Sequence, residues 1–133
     1  VPKKFTYRGH TLEELQKMSM NDFVKLLPSR ERRSLLRGMP PRQKKLLERI
    51  RKMRNRGKQD EVFVRTHCRD IVIIPEMVGI KLGVHNGKDF VRIEITPEMV
   101  GHRIGEFALS RKKVTHSTPG IGATRSSLYV PLK

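Results

Sequence analysis

The chain has 133 residues, with 29 Lys+Arg against 13 Asp+Glu and a formal net charge of +16. Such a molecule repels itself unless a counter-charged partner is present, and phosphate backbones are the usual partner. A single cysteine, Cys68, excludes an intrachain disulfide and a Cys-rich zinc site; no metal or cofactor is expected, and no apolar run reaches the length of a membrane span.

Residues 1–9 are a basic lead-in carrying Phe5 and Tyr7. Thr11 with Glu14 fits a capping box for a short helix over 12–18, with Leu12, Leu15 and Met18 on one face. Ser19 with Asp22 marks a second start, and Phe23, Val24 and Leu27 supply that helix with a buried face. Pro28 closes it, because proline disfavours helical geometry in the residue before it.

Residues 29–58 hold 13 Lys+Arg against only Glu31 and Glu48, so +11 of the total charge sits there. Arg30, Arg32, Arg33 and Arg37 precede a break at Gly38-Met39-Pro40-Pro41. A helix is predicted over 41–55, stopping at Gly57. Leu46, Leu47, Ile50 and Met53 form one narrow apolar seam along it. Around the seam stand Arg42, Lys44, Lys45, Arg49, Arg51, Lys52, Arg54 and Arg56. Solvated charge runs are seldom so nearly single-signed, and a membrane-surface helix would want more apolar bulk. A calmodulin-target-like helix stays open from the pattern alone. Nucleic acid fits best, since arginine outnumbers lysine and its planar fork favours bidentate phosphate contacts.

From about residue 62 the pattern becomes β. Strands are predicted at 62–66, 71–74, 80–85 and 89–95, with Asn86-Gly87 as a hairpin turn. Val91, Ile93 and Ile95 alternate with Arg92 and Glu94, so one face is buried and one is wet. Thr96 can cap a one-turn helix beginning at Pro97. The peptide Pro-Glu-Met-Val-Gly occurs twice, at 75–79 and 97–101, and the copies bracket the hairpin. The match extends from Ile73 and Ile95 to Gly83 and Gly105. Two copies are too few for a solenoid; they read as paired corners of one small sheet domain.

Catalytic chemistry finds no foothold. His85-Asn86-Gly87 lacks a partner at ligand spacing, and Gly120-Ile121-Gly122-Ala123-Thr124 lacks the ending and context of a phosphate-binding loop. The chain reads as non-enzymatic. Residues 110–133 carry Arg111, Lys112, Lys113, His116, Arg125 and Lys133 and no acid. With few apolar groups to offset ordering, this tail is expected to be disordered alone and ordered along a partner. Its glycines, Gly120 and Gly122 among them, permit close backbone approach, while Thr124, Ser126 and Ser127 can bond phosphates or sugars.

The segment from Ile71 to Arg111 resembles the signature region of the small-subunit ribosomal protein family numbered nineteen in bacteria and fifteen in older eukaryotic nomenclature. His85-Asn86-Gly87-Lys88, Gly101-His102 and Gly105-Glu106-Phe107 carry the resemblance most specifically. Phe5-Thr6-Tyr7-Arg8-Gly9 and the ending from Pro119 to Ser127 resemble the archaeal and eukaryotic cytosolic branch.

The resemblance implies an α+β core on a small mixed or antiparallel sheet of about three strands. A basic helical extension (1–58) would precede the core (59–109), and an extended tail (110–133) would follow it. It implies a structural protein of the small-subunit head, bound to small-subunit rRNA beside head protein thirteen, with the tail reaching toward the decoding region and tRNA. By position, rRNA contacts would include Asn86, Gly87, Lys88, His102, Arg103, Arg111 and Lys112, with tail contacts around Gly120, Gly122, Thr124, Arg125, Ser126 and Ser127. No homo-oligomer and no membrane association are expected, and the location would be the cytoplasmic ribosome, with nucleolar assembly if eukaryotic. A free RNA chaperone or regulatory RNA-binding protein is the competing reading, and a helix-mediated protein adaptor a third.

Overall fold

The computed structural model describes residues 3–57, 64–116 and Arg125. Its chain order is a short hairpin, four helices, and an α+β core whose three-stranded sheet is interrupted by 3₁₀ corners. The opening hairpin pairs β1 (Thr6–Tyr7) with β2 (His10–Thr11) in antiparallel register. Its turn residues Arg8 and Gly9 both have positive φ, 50° and 85°, the twist that two-residue hairpins favour. Arg-Gly is a weak signal for such a turn, so this hairpin is not visible in the sequence pattern.

Helix α1 (Leu12–Lys17) starts on the Thr11–Glu14 capping box, and α2 (Met20–Leu26) starts where the Ser19 hydroxyl accepts from the Asp22 N–H. A third helix, α3 (Ser29–Leu36), occupies the arginine block, for which the sequence predicts no element. The fourth, α4 (Pro41–Asn55), has its predicted limits, with Gly57 at φ 68° beyond it. Leu46, Leu47 and Ile50 of its seam are buried and Met53 is half-buried. Leu15, Phe23, Leu27, Leu46, Leu47 and Ile50 join Ile71–Ile74 and the sheet residues in one apolar cluster. The basic helices therefore share a core with the sheet.

That sheet has the order β3-β4-β5, from β3 (Val64–Thr66), β4 (Lys81–His85) and β5 (Phe90–Glu94). β3 lies parallel to β4, and β4 antiparallel to β5, so the sheet is mixed. Residues 62 and 63 of the first predicted strand lie outside the described residues. The β4–β5 connection spans residues 86–89, with only Gly87 at positive φ (105°). Asn86 makes it longer than a two-residue turn: its side-chain oxygen accepts from the Lys88 and Asp89 N–H groups at 3.0 and 2.8 Å, an Asx turn.

Ile71–Ile74 form no strand of this sheet, contrary to expectation. All four are buried, but the run pairs with residues 101–104 through one isolated bridge, Val72 to Arg103. The reason lies in the repeat. Both copies form 3₁₀ turns, Pro75–Met77 and Pro97–Met99. Each is followed by a valine at φ −62°, ψ 135° or φ −58°, ψ 133°, then a glycine at φ 86°. That is a type II turn, whose third position requires glycine. The Thr96 hydroxyl makes no capping bond; proline at the first position leaves one fewer N–H to satisfy.

The copies bond each other reciprocally. Gly79 N–H donates to the Ile95 carbonyl (2.8 Å), and Gly101 N–H to the Ile73 carbonyl (3.0 Å). Ile95 N–H donates to Ile80 (3.1 Å) and Ile73 N–H to His102 (2.8 Å). Adding or subtracting the repeat spacing of 22 residues exchanges the members of each pair. The corners are related by a local twofold, and the Val72–Arg103 bridge is the counterpart of the Lys81–Glu94 pair in the hairpin.

Candidate nucleic-acid interface

α3 places Arg30, Arg33 and Arg37 at i, i+3 and i+7, spacings that put all three on one helical face. They line a recess of about 370 Å³ between α3, the 38–40 turn, the start of α4 and the core, together with Ser34, Gln43, Asp70 and Arg103. None of the three makes a side-chain hydrogen bond or ion pair among the described residues. Gln43 is buried and donates to Asp70 Oδ2 at 3.0 Å, fixing the recess floor. A buried glutamine inside a charged run carries no periodic signal by which the sequence could reveal it.

Arg103, expected at an rRNA contact, also has partners within the chain. Its guanidinium donates to the Asp70 carbonyl and the Ser34 hydroxyl, both at 2.8 Å, and its Nε lies 3.6 Å from Glu31. It ties α3 to the core beside the recess. Arg32 likewise donates to the carbonyls of Lys25 and Leu27, at 3.1 and 3.0 Å, near the end of α2.

A second recess, of about 230 Å³, runs between α4 and β3, lined by Arg42, Lys45, Arg49, Arg65 and His67. At its rim His67 and His85 lie 4.4 Å apart, and Phe90 meets each edge-on. Arg65 sits 5.6 Å above the Phe90 ring. These aromatic and imidazole faces come from β4, β5 and the residue after β3, so linear spacing could not show them together. Lys44 and Lys52 are exposed on α4 outside both recesses. Arg51 and Arg54, also exposed, bond the first corner instead: Arg51 makes two bonds to the Glu76 carboxylate, at 3.1 and 3.4 Å, and Arg54 donates to its carbonyl at 3.2 Å.

The hairpin tip presents Gly87 and Lys88 to solvent, while the Asn86 side chain is held by the turn. The exposed His102 has Nδ1 2.9 Å from Glu106 Oε2, and Glu106 Oε1 accepts the Arg103 N–H at 3.2 Å. Arg111, Lys112 and Arg125 are exposed. The expected contacts at Gly120, Gly122, Thr124, Ser126 and Ser127 lie outside the described residues.

Arg69, to which no sequence motif points, joins three segments. Its guanidinium donates to the carbonyls of His85, Gly105 and Ala108, the Gly105 bond measuring 2.9 Å. It holds the base of the hairpin against the 3₁₀ turn Ile104–Phe107. Gly105 admits it: a Cβ there would lie 2.9 Å from the Arg69 carbonyl oxygen.

Among the described residues no cluster of His, Cys, Asp or Glu could hold a metal ion, and no helix is long and apolar enough to cross a membrane. The arrangement can bind phosphates on two sides of α4 and stack bases at the sheet edge. Compared with known families, the chain matches the profile described as Ribosomal protein S19 over residues 33–116.

Proposed function

Because the chain belongs to the ribosomal protein S19 family, small-subunit ribosomal proteins of a structural, rRNA-binding class, we propose that it holds rRNA in the head of the subunit through α3 and α4. The observation that carries this reading is the pair of cation-lined recesses flanking α4. Phosphates enter the first against Arg30, Arg33 and Arg37 and the second against Lys45 and Arg49. Lys44 and Lys52 extend the cationic face, and Gly87 and Lys88 engage RNA at the hairpin tip. His67 and Phe90 offer unpaired bases a stacking surface. Asn86, Arg32 and Arg103 shape the elements that carry these contacts, and His102 holds the Glu106 carboxylate beside the second corner.

Arg111 and Lys112 begin a tail that follows rRNA toward the decoding region and tRNA, with Gly120, Gly122, Thr124, Arg125, Ser126 and Ser127 as its contacts. Head protein thirteen is a neighbour, and the chain acts as one copy per subunit. The basic helices (1–58), core (59–109) and tail (110–133) supply phosphate binding, register and reach respectively.

The test is Arg49→Glu combined with Lys52→Glu, measured by filter binding to a small-subunit rRNA fragment across a salt series. Loss of two phosphate contacts should weaken binding about tenfold or more and flatten the log–log salt slope by about 2. An unchanged slope would remove α4 from the interface.

A further inference from the structure

The two corners share one backbone, and the first already has an occupant. At the first, α1 and α4 cover the turn: Gln16 donates to the Pro75 carbonyl at 3.4 Å, and Arg51 and Arg54, three residues apart on α4, bond the carboxylate and carbonyl of Glu76. Pro75 and Met77 are consequently buried. At the second corner the equivalent glutamate is Glu98. It is exposed and makes no side-chain hydrogen bond or ion pair among the described residues. Pro97 and Met99, equivalents of the two buried residues, are only half-buried.

Beside Glu98 is a recess of about 340 Å³, lined by Thr96, Glu98, Met99, His102, Glu106 and Phe107. Neither lysine nor arginine lines it, although the chain has 29 of them. Two glutamates repel phosphate, so this face is unsuited to the RNA that the other recesses attract. Half-buried Met99 and Phe107 add apolar surface that a protein segment can cover.

We propose that the second corner docks a basic segment of another protein, one that presents two arginines a helical turn apart to Glu98 as α4 presents Arg51 and Arg54 to Glu76. The local twofold supplies the geometry: a carboxylate and a free carbonyl on a 3₁₀ turn, which a guanidinium fork and a second arginine engage together. The occupant is protein because the recess is acidic and apolar; it is basic because its template is α4. The proposal rests on the chain working within the ribosomal subunit, where basic protein segments abound.

The experiment places p-benzoylphenylalanine at Thr96, whose exposed hydroxyl makes no capping bond, in the full chain within cells. Small subunits are purified on gradients and irradiated, and the adducts are sequenced. The expected adduct lies on another protein, in a segment with two arginines three or four residues apart. Its yield should fall at least fivefold in Glu98→Lys and stay within twofold in Glu94→Lys, a charge reversal outside the recess. An adduct to rRNA, to residues 117–133 of this chain or to a segment without paired arginines would overturn the proposal, as would no adduct. A chain missing from the small-subunit fraction would overturn the ribosomal reading as well.

Discussion

Arg69 shows how one side chain decides whether a positive charge belongs to the fold or to the ligand. Its three carbonyl partners lie on two segments, the base of the hairpin and the turn ending at Ala108, and lysine, a single point donor, cannot span them. Arg69→Lys should cost about 2–3 kcal/mol in urea unfolding. A loss below a few tenths would show the fork to be dispensable. Asp22 makes a smaller statement at the start of α2. Its carboxyl is held below the ordinary value first by the Ser19 hydroxyl, then by Lys25 at 3.1 Å. A depressed folded-state pKa contributes stability above the unfolded value and loses it as pH falls through the folded one. The stability gap between the native chain and Asp22→Asn should therefore be present at neutral pH and close on acidification below about pH 4; a gap unchanged in acid would refute the assignment.

Among the elements, those with local causes are legible in the residues themselves. The limits of α4, the capping box of α1 and the role of the repeat as corners follow from apolar period, cap residues and a proline–glycine frame. The 71–74 run reads as a strand of the main sheet because four buried apolar residues look alike whether they pair there or across a corner. α3 escapes such reading because no residue in it is buried, leaving no core stripe to read. Of the interface, charge locates α3 and α4, but only tertiary packing could engage Arg51, Arg54 and Arg103 with partners in the chain itself or bring His67 to Phe90. The repeated glycines also separate local from tertiary cause. Both sit at φ 86°, so alanine at either should cost roughly 1–2 kcal/mol of backbone strain. At Gly101 a Cβ would also lie 2.7 Å from the Tyr7 hydroxyl, whereas at Gly79 it meets nothing within 4 Å. Gly101→Ala should thus destabilise more, by thermal or urea unfolding, and Tyr7→Phe should recover part of the difference. Equal losses would mean that the hairpin yields freely.

For the molecule as a whole, the surface is zoned. Among the described residues Arg30, Arg33 and Arg37 make no side-chain hydrogen bond or ion pair, while Arg51, Arg54, Arg69 and Arg103 bind carbonyls, hydroxyls and carboxylates of the chain itself. Net charge alone cannot tell these groups apart; hydrogen-bond partners can. The reciprocal bonds between the corners have a further consequence, for the order in which the protein is made. Each corner takes backbone partners from the other, 22 residues away. A nascent chain that has released only the first copy therefore has carbonyl and amide groups that its own segment cannot satisfy. Both corners must close in one cooperative event after the second copy emerges. In native-state hydrogen exchange the amides of Ile73, Gly79, Ile95 and Gly101 should then open together with one common free energy, and separate opening energies for the two corners would show that each half can stand by itself.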